Sequence, residues 1–124
     1  MNEFALPLNA QARYVAGVML EYKHLQAVQK ILAQHLAQAR VFAFGSRVSG
    51  KPRKYSDLDL AVDMPQPLGL RTLRELQDAL EDSDLPMCVD IVDWNQASDS
   101  FRMAVAAQGI SVIQPMPKTA GDLG

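Results

Sequence analysis

From about Asn9 to Ala39 the apolar residues fall at positions 14, 15, 18, 19, 22, 25, 28, 31, 32 and 36. Steps of three and four place them on one helical face, so the pattern predicts a helix there. Asn9 is positioned to cap it, and Gly17 permits a break into two helices. The period then changes. Val41–Phe44 is a short apolar run that reads as a strand, and Leu58–Val62 is a second. Between them, residues 45–55 predict a loop or a short helical turn. Pro65 and Pro67 end the second strand, since they supply turn chemistry and no amide donors. Leu70, Leu73, Leu76 and Leu80 restore helical spacing and predict a helix over 69–82. Met87–Val92 predicts a third strand. A helix over 98–108 follows, with Ser98 as its cap and Gly109 as its stop. Ile110–Ile113 forms a short last strand.

Helices alternating with short strands predict an α+β (α/β) domain, a small mixed sheet covered by helices. The first two strands are close in sequence and either pair antiparallel or lie side by side. The domain spans 21–114. Residues 1–20 form an N-terminal arm or extra helix, and 115–124 a flexible tail.

Composition narrows the class. A chain of 124 residues is one domain by length and can bury a core of its own. It is 48% hydrophobic and 21% charged, as soluble globular domains are. A net charge of -2 gives no global field for nucleic acid or an anionic membrane. The charge is uneven: Arg47, Lys51, Arg53 and Lys54 cluster within one short stretch. One cysteine, Cys88, excludes an intramolecular disulfide. No apolar run approaches the roughly 18 residues of a membrane span, and the N-terminus lacks a basic export region. The expected location is the cytoplasm.

The chemistry concentrates in two places. Asp57 and Asp59 flank Leu58, so strand alternation points both to one face and Leu58, Leu60 and Val62 to the other. Two carboxylates held a few ångströms apart repel and raise each other's pKa unless a cation sits between them. A divalent metal is the usual answer. Mg²⁺ takes one or two carboxylates together with water and phosphate oxygens. The plain alternative is an exposed strand edge with two solvated aspartates. MCVDIVDW offers a third acid. Asp90 lies inside that strand between Val89 and Ile91 and is the preferred ligand, the alternative being a structural acid paired with a cap. Asp93 ends the strand beside Trp94. Asp78, Glu81, Asp82 and Asp84 read as a solvated face.

GSRVSGK matches the front of a phosphate-binding P-loop, but Pro52 stands where a serine or threonine should bind Mg²⁺. A charged turn and a strand follow, whereas that motif needs a helix. The P-loop is rejected. Gly45 instead lets a phosphate approach the backbone closely. The Ser46 amide and hydroxyl both donate to phosphate oxygens. Arg47, Lys54 and the other basic residues of the loop are expected to neutralise phosphate charge. Taken alone, the stretch reads better as a Gly-Ser turn with a soluble basic loop; paired with the aspartates, it reads better as a phosphate site.

Gly45-Ser46, ten intervening residues, Asp57-Leu58-Asp59 and then Asp90 together resemble the signature of the polymerase beta superfamily of nucleotidyltransferases. The resemblance covers roughly 25–114. FGSRVSGKPRKYSDLDLAV carries it best. SDLP, VDIVDW and the helix containing Phe101-Arg102 look like its minimal nucleotidyltransferases, which are encoded beside a HEPN-domain protein. The first twenty residues are longer than that subgroup's pattern.

The resemblance implies a mixed sheet with Asp57 and Asp59 on one strand and Asp90 on its neighbour. It also implies two Mg²⁺ ions and a nucleoside triphosphate, ATP. One ion would sit on Asp57 and Asp59 and the other on all three acids. Gly45 and Ser46 would hold the β and γ phosphates, and Asp90 would accept a proton from the acceptor hydroxyl. Larger members carry a second domain for the acceptor. Nothing after Gln114 supplies one, so the acceptor site is expected on another chain, in a hetero-oligomer or homodimer. In the subgroup that chain is a HEPN RNase toxin, and the minimal enzyme acts as antitoxin by adding AMP to a toxin tyrosine.

Three other functions compete with this one. One is nucleotidyl transfer to a small molecule such as an aminoglycoside, in a pocket a partner completes. Another is an antitoxin that masks its partner by contact alone. The third, a basic-loop RNA binder, has few aromatic residues near the loop to stack bases. His24 and His35 are about 16 Å apart along a helix, too far to share a metal, and read as surface or packing residues. Trp94 reads as a strand-end anchor.

Overall fold

The computed structural model describes residues 17–50, 52–53 and 55–115. The arm expected over 1–16, the cap Asn9, the loop residues Lys51 and Lys54, and the tail beyond Pro115 lie outside them. The element order is α1 (Tyr22–His35), β1 (Arg40–Phe44), α2 (Ser46–Ser49), β2 (Leu58–Asp63), α3 (Leu70–Glu81), β3 (Val89–Asp93), a short 3-10 turn (Trp94–Gln96), α4 (Asp99–Gln108) and β4 (Ser111–Gln114). The four strands form one sheet in the order β3-β2-β1-β4. β1 pairs antiparallel with β2 and with β4, while β2 and β3 run parallel. A parallel pair needs a crossover, and α3 supplies it. The result is a mixed α+β fold.

The two sheet faces are covered unequally. Val41, Ala43, Leu58, Leu60, Val62 and Ile113 pack under α1 and α3, against Leu25, Val28, Leu32, Leu76 and Leu80. Full burial of each such leucine contributes about 1.5–3 kcal/mol. The opposite face holds a smaller cluster of Phe42, Ala61 and Val105, with Phe44, Trp94 and Ile110 against it. Among the described residues α4 supplies its α-helical cover, through Val105, and Trp94 of the 3-10 turn packs beside it.

α4 begins and ends as its sequence predicts. The Ser98 hydroxyl accepts from the Phe101 amide at 3.1 Å, and Gly109 closes the helix at a φ of 108°. The N-terminal region differs from expectation. The described part of the long predicted helix starts only at Tyr22. Gly17 has a φ of 79°, and the Met19 amide donates to the Arg47 carbonyl at 2.6 Å. Met19 and Leu20 are drawn along α2 as irregular chain, and Val18 and Leu20 are buried in the core from there. Apolar positions spaced for a helix are thus used by a strap. Trp94 is an anchor, edge-on to Phe42 at 4.9 Å between ring centroids.

Candidate active site

The site lies where β1 ends and β2 begins. Antiparallel pairing sets Phe44 opposite Asp59, and parallel pairing sets Asp59 beside Asp90. Residues paired across strands share a face, so Phe44, Asp59 and Asp90 form one row over three strands. That row lies on the thinly covered face, away from Leu58 and Leu60. Asp57 immediately precedes β2, and the alternation of an extended chain brings it to the same side. Asp57 and Asp90 are exposed, and Asp59 is half-buried. The face therefore opens to solvent where the acids sit.

Gly45 follows Phe44 with a φ of 82°, in the left-handed region. A Cβ at this position would collide with Oδ2 of Asp59. Backbone geometry and proximity to the carboxylate both require glycine here. α2 opens at Ser46, which is exposed. The first amide of a helical turn has no acceptor within the turn, so the Ser46 N–H remains available beside Asp59.

Burial holds the Asp59 carboxyl above its ordinary value, and the charges of Asp90 and then Asp57 push it the same way. No basic side chain among the described residues pairs with any of the three. Among those residues, no three acidic, histidine or cysteine side chains close into a ready-made metal cage. A site for one ion on all three acids is therefore not preformed among the described residues. The donor set still fits Mg²⁺, which draws much of its shell from water and substrate phosphate rather than from an all-protein cage.

Arg47 does not join this group. It is 6% exposed. Its guanidinium donates to the carbonyls of Ser56 at 2.9 Å, Met19 at 2.8 Å and Arg53 at 3.4 Å. The expectation that it contacts phosphate is corrected: a planar fork with five donors is used to hold three chain segments together. Nothing in the sequence separates Arg47 from the basic residues that follow it. Lys54, the other basic residue assigned to phosphate, lies outside the described residues. Asp93 is also structural, since its carboxylate accepts from the amides of Leu68 at 2.8 Å and Asn95 at 3.0 Å. Phe101 of α4, singled out in the sequence only for the resemblance, is a further neighbour: it stands edge-on to Phe44, 5.8 Å between centroids.

Residues 26–117 match the family described as polymerase beta, nucleotidyltransferase. Over 104 residues the chain is 42% identical to a probable protein adenylyltransferase, MntA, of Haemophilus influenzae, covering 84% of this chain and 90% of that protein. Among solved structures it resembles a chain of a toxin–antitoxin complex with AMP-PNP, with a TM-score of 0.62 and 27% identity over 79% of this chain and 76% of that one. It also resembles a chain of the complex between tri-AMPylated Shewanella oneidensis HEPN toxin and MNT antitoxin, with a TM-score of 0.55 and 27% identity over 73% and 72% of the two chains. A Gly-Ser turn pressed against an Asp-x-Asp strand, a third acid in register on the next strand and a match across most of the chain agree that this protein belongs to the polymerase beta nucleotidyltransferase family.

Proposed function

We propose that the chain is a Mg²⁺-dependent protein adenylyltransferase. It moves AMP from ATP to a tyrosine hydroxyl of a HEPN-domain toxin in the cytoplasm and so acts as that toxin's antitoxin. The observation that carries this reading is the Asp59–Asp90 register beside Gly45. Further support comes from the relative named as a protein adenylyltransferase and from the complexes with AMP-PNP and with an AMPylated HEPN toxin.

Asp57 and Asp59 are the residues that would hold a divalent ion, with Asp90 joining for a second. When bound, such ions offset phosphate charge and lower the pKa of an acceptor hydroxyl. Gly45 lets the triphosphate approach the backbone, and Ser46 donates to its β and γ oxygens. The acceptor oxygen attacks the α-phosphorus. The bond from that phosphorus to the oxygen bridging toward the β-phosphorus breaks, and pyrophosphate leaves with the bridging oxygen. The acceptor's proton passes to Asp90.

The test is calorimetry of ATP binding in Mg²⁺. The pair Asp57→Asn with Asp59→Asn is expected to abolish binding while the fold survives, because removing like charges relieves repulsion. Unchanged ATP affinity in that variant overturns the metal-site reading.

A further inference from the structure

On the α3 side of β3 lies a groove of about 480 Å³, lined by Gln77, Leu80, Glu81, Leu85 and Met87 among others, and of the three acids of the site it takes in Asp90. Three features of it point the same way. It reaches Asp90, the acid that takes the acceptor's proton in the proposed reaction. It runs beside β3, which is an edge strand of the sheet. The outer side of an edge strand presents unpaired amides and carbonyls, which an extended polypeptide can meet. Its charge is also one-sided. Between Arg74 and Arg102 the chain has eight carboxylates and no lysine or arginine. Of these, Glu81 lines the groove, and Asp82 and Asp84 are exposed on the turn that leads from α3 to β3.

We infer that this groove receives the acceptor polypeptide, and that the segment it selects carries basic side chains flanking the hydroxyl to be modified. The segment lies over an apolar floor of partly buried Leu85 and the rims of the core residues Leu80 and Met87, while Glu81 and its neighbours attract its cationic side chains. The same acids repel a phosphate backbone, so the groove selects against nucleic acid as acceptor. Complementary charge at such a surface chiefly sets partner choice and association rate. The role assigned to the groove rests on the transfer reading above; its binding preference does not.

The test separates the two. Two fluorescent peptides of equal length, each with one tyrosine, are compared by anisotropy at low salt, without ATP or metal. In one the tyrosine is flanked by arginines, in the other by glutamates. The full chain is expected to bind the basic peptide at least tenfold more tightly. Glu81→Lys is expected to weaken that binding about five- to tenfold, since it replaces an attraction with a repulsion. Lysine is compatible with a helix C-terminus, so the fold is retained. Glu75→Lys makes the same charge change on α3 outside the groove, beside Arg71. It should leave binding within about twofold. Equal behaviour of the two peptides, including no binding of either, overturns the inference. So does an equal loss in both variants, or full displacement by spermidine at the peptide's own concentration, which would mark a simple cation site. A second arm incubates both peptides with the chain, ATP and Mg²⁺ and reads their masses: transfer of AMP to both alike would leave the enzyme reading standing and remove the groove. Selective binding with no transfer would do the reverse.

Discussion

At Gly45 and Asp59 a single contact joins backbone conformation to charge. Gly45→Ala places a Cβ in the left-handed region, which costs about 1–2 kcal/mol, and drives it into the Asp59 carboxylate. The expected outcome is a lower melting temperature together with weakened Mg²⁺–ATP binding. A variant that melts lower but binds ATP normally would show that the contact does not shape the site. Asp59 makes a separate prediction about pH. Its carboxyl is held above the ordinary value by burial, then by Asp90, then by Asp57. A raised carboxyl binds its proton more tightly in the folded chain than in the unfolded one. Its contribution to metal-free stability is therefore complete below the unfolded value and lost as pH rises through the raised folded value. Asp59→Asn removes that loss. Denaturation in chelator should show the variant gaining on the parent as pH rises from acid to neutral. A gain that does not change with pH would contradict the assignment.

The short helical element α2 owes its place to Arg47, which ties it to the strap at Met19 and to the loop at Arg53 and Ser56 that leads into Asp57. Removing the guanidinium takes a charged donor from three part-buried hydrogen bonds, of which, among the described residues, only the one at Arg53 has a second donor, the Ser56 amide. Arg47→Met is therefore expected to cost about 2–4 kcal/mol in urea unfolding, with Arg47→Lys recovering only part of it because an ammonium cannot serve three divergent acceptors. Had Arg47 been a phosphate contact, the same variants would lose ATP affinity at unchanged stability. This element marks the boundary of what the sequence alone reveals. The strands, α3 and α4 were legible because alternation and three-to-four spacing report burial directly, and Ser98 and Gly109 mark the ends of α4. The acids were legible because charge inside an apolar strand is costly without a reason. Arg47 was not, because its partners are carbonyls 6 to 28 positions away and side-chain type does not encode them. The strap at 18–20 was misread for a related reason. Val18 and Leu20 are buried, so they carry the apolar signal of a helix without its backbone.

Across the whole molecule, one sheet does two separate things. One face holds the chain together under α1 and α3, and the other carries Phe44, Asp59 and Asp90 under partial cover. Charge is divided as well, with the basic stretch before the aspartates and an acidic stretch from α3 to α4. No helix among the described residues is long and apolar enough to cross a membrane. In the function proposed above, this arrangement transfers AMP to a partner rather than covering it. Transfer is catalytic, so a trace of the protein should modify an excess of toxin, whereas masking requires one chain per site. The direct measurement is intact-mass spectrometry of a HEPN toxin incubated with ATP, Mg²⁺ and substoichiometric protein, read beside the toxin's remaining activity. The account predicts a gain of one or more AMP masses and a silenced toxin, both lost in Asp59→Asn while the complex still forms, since one carboxylate is a small part of a protein interface. Neutralisation by substoichiometric Asp59→Asn as complete as by the parent, with no change in toxin mass, would contradict it.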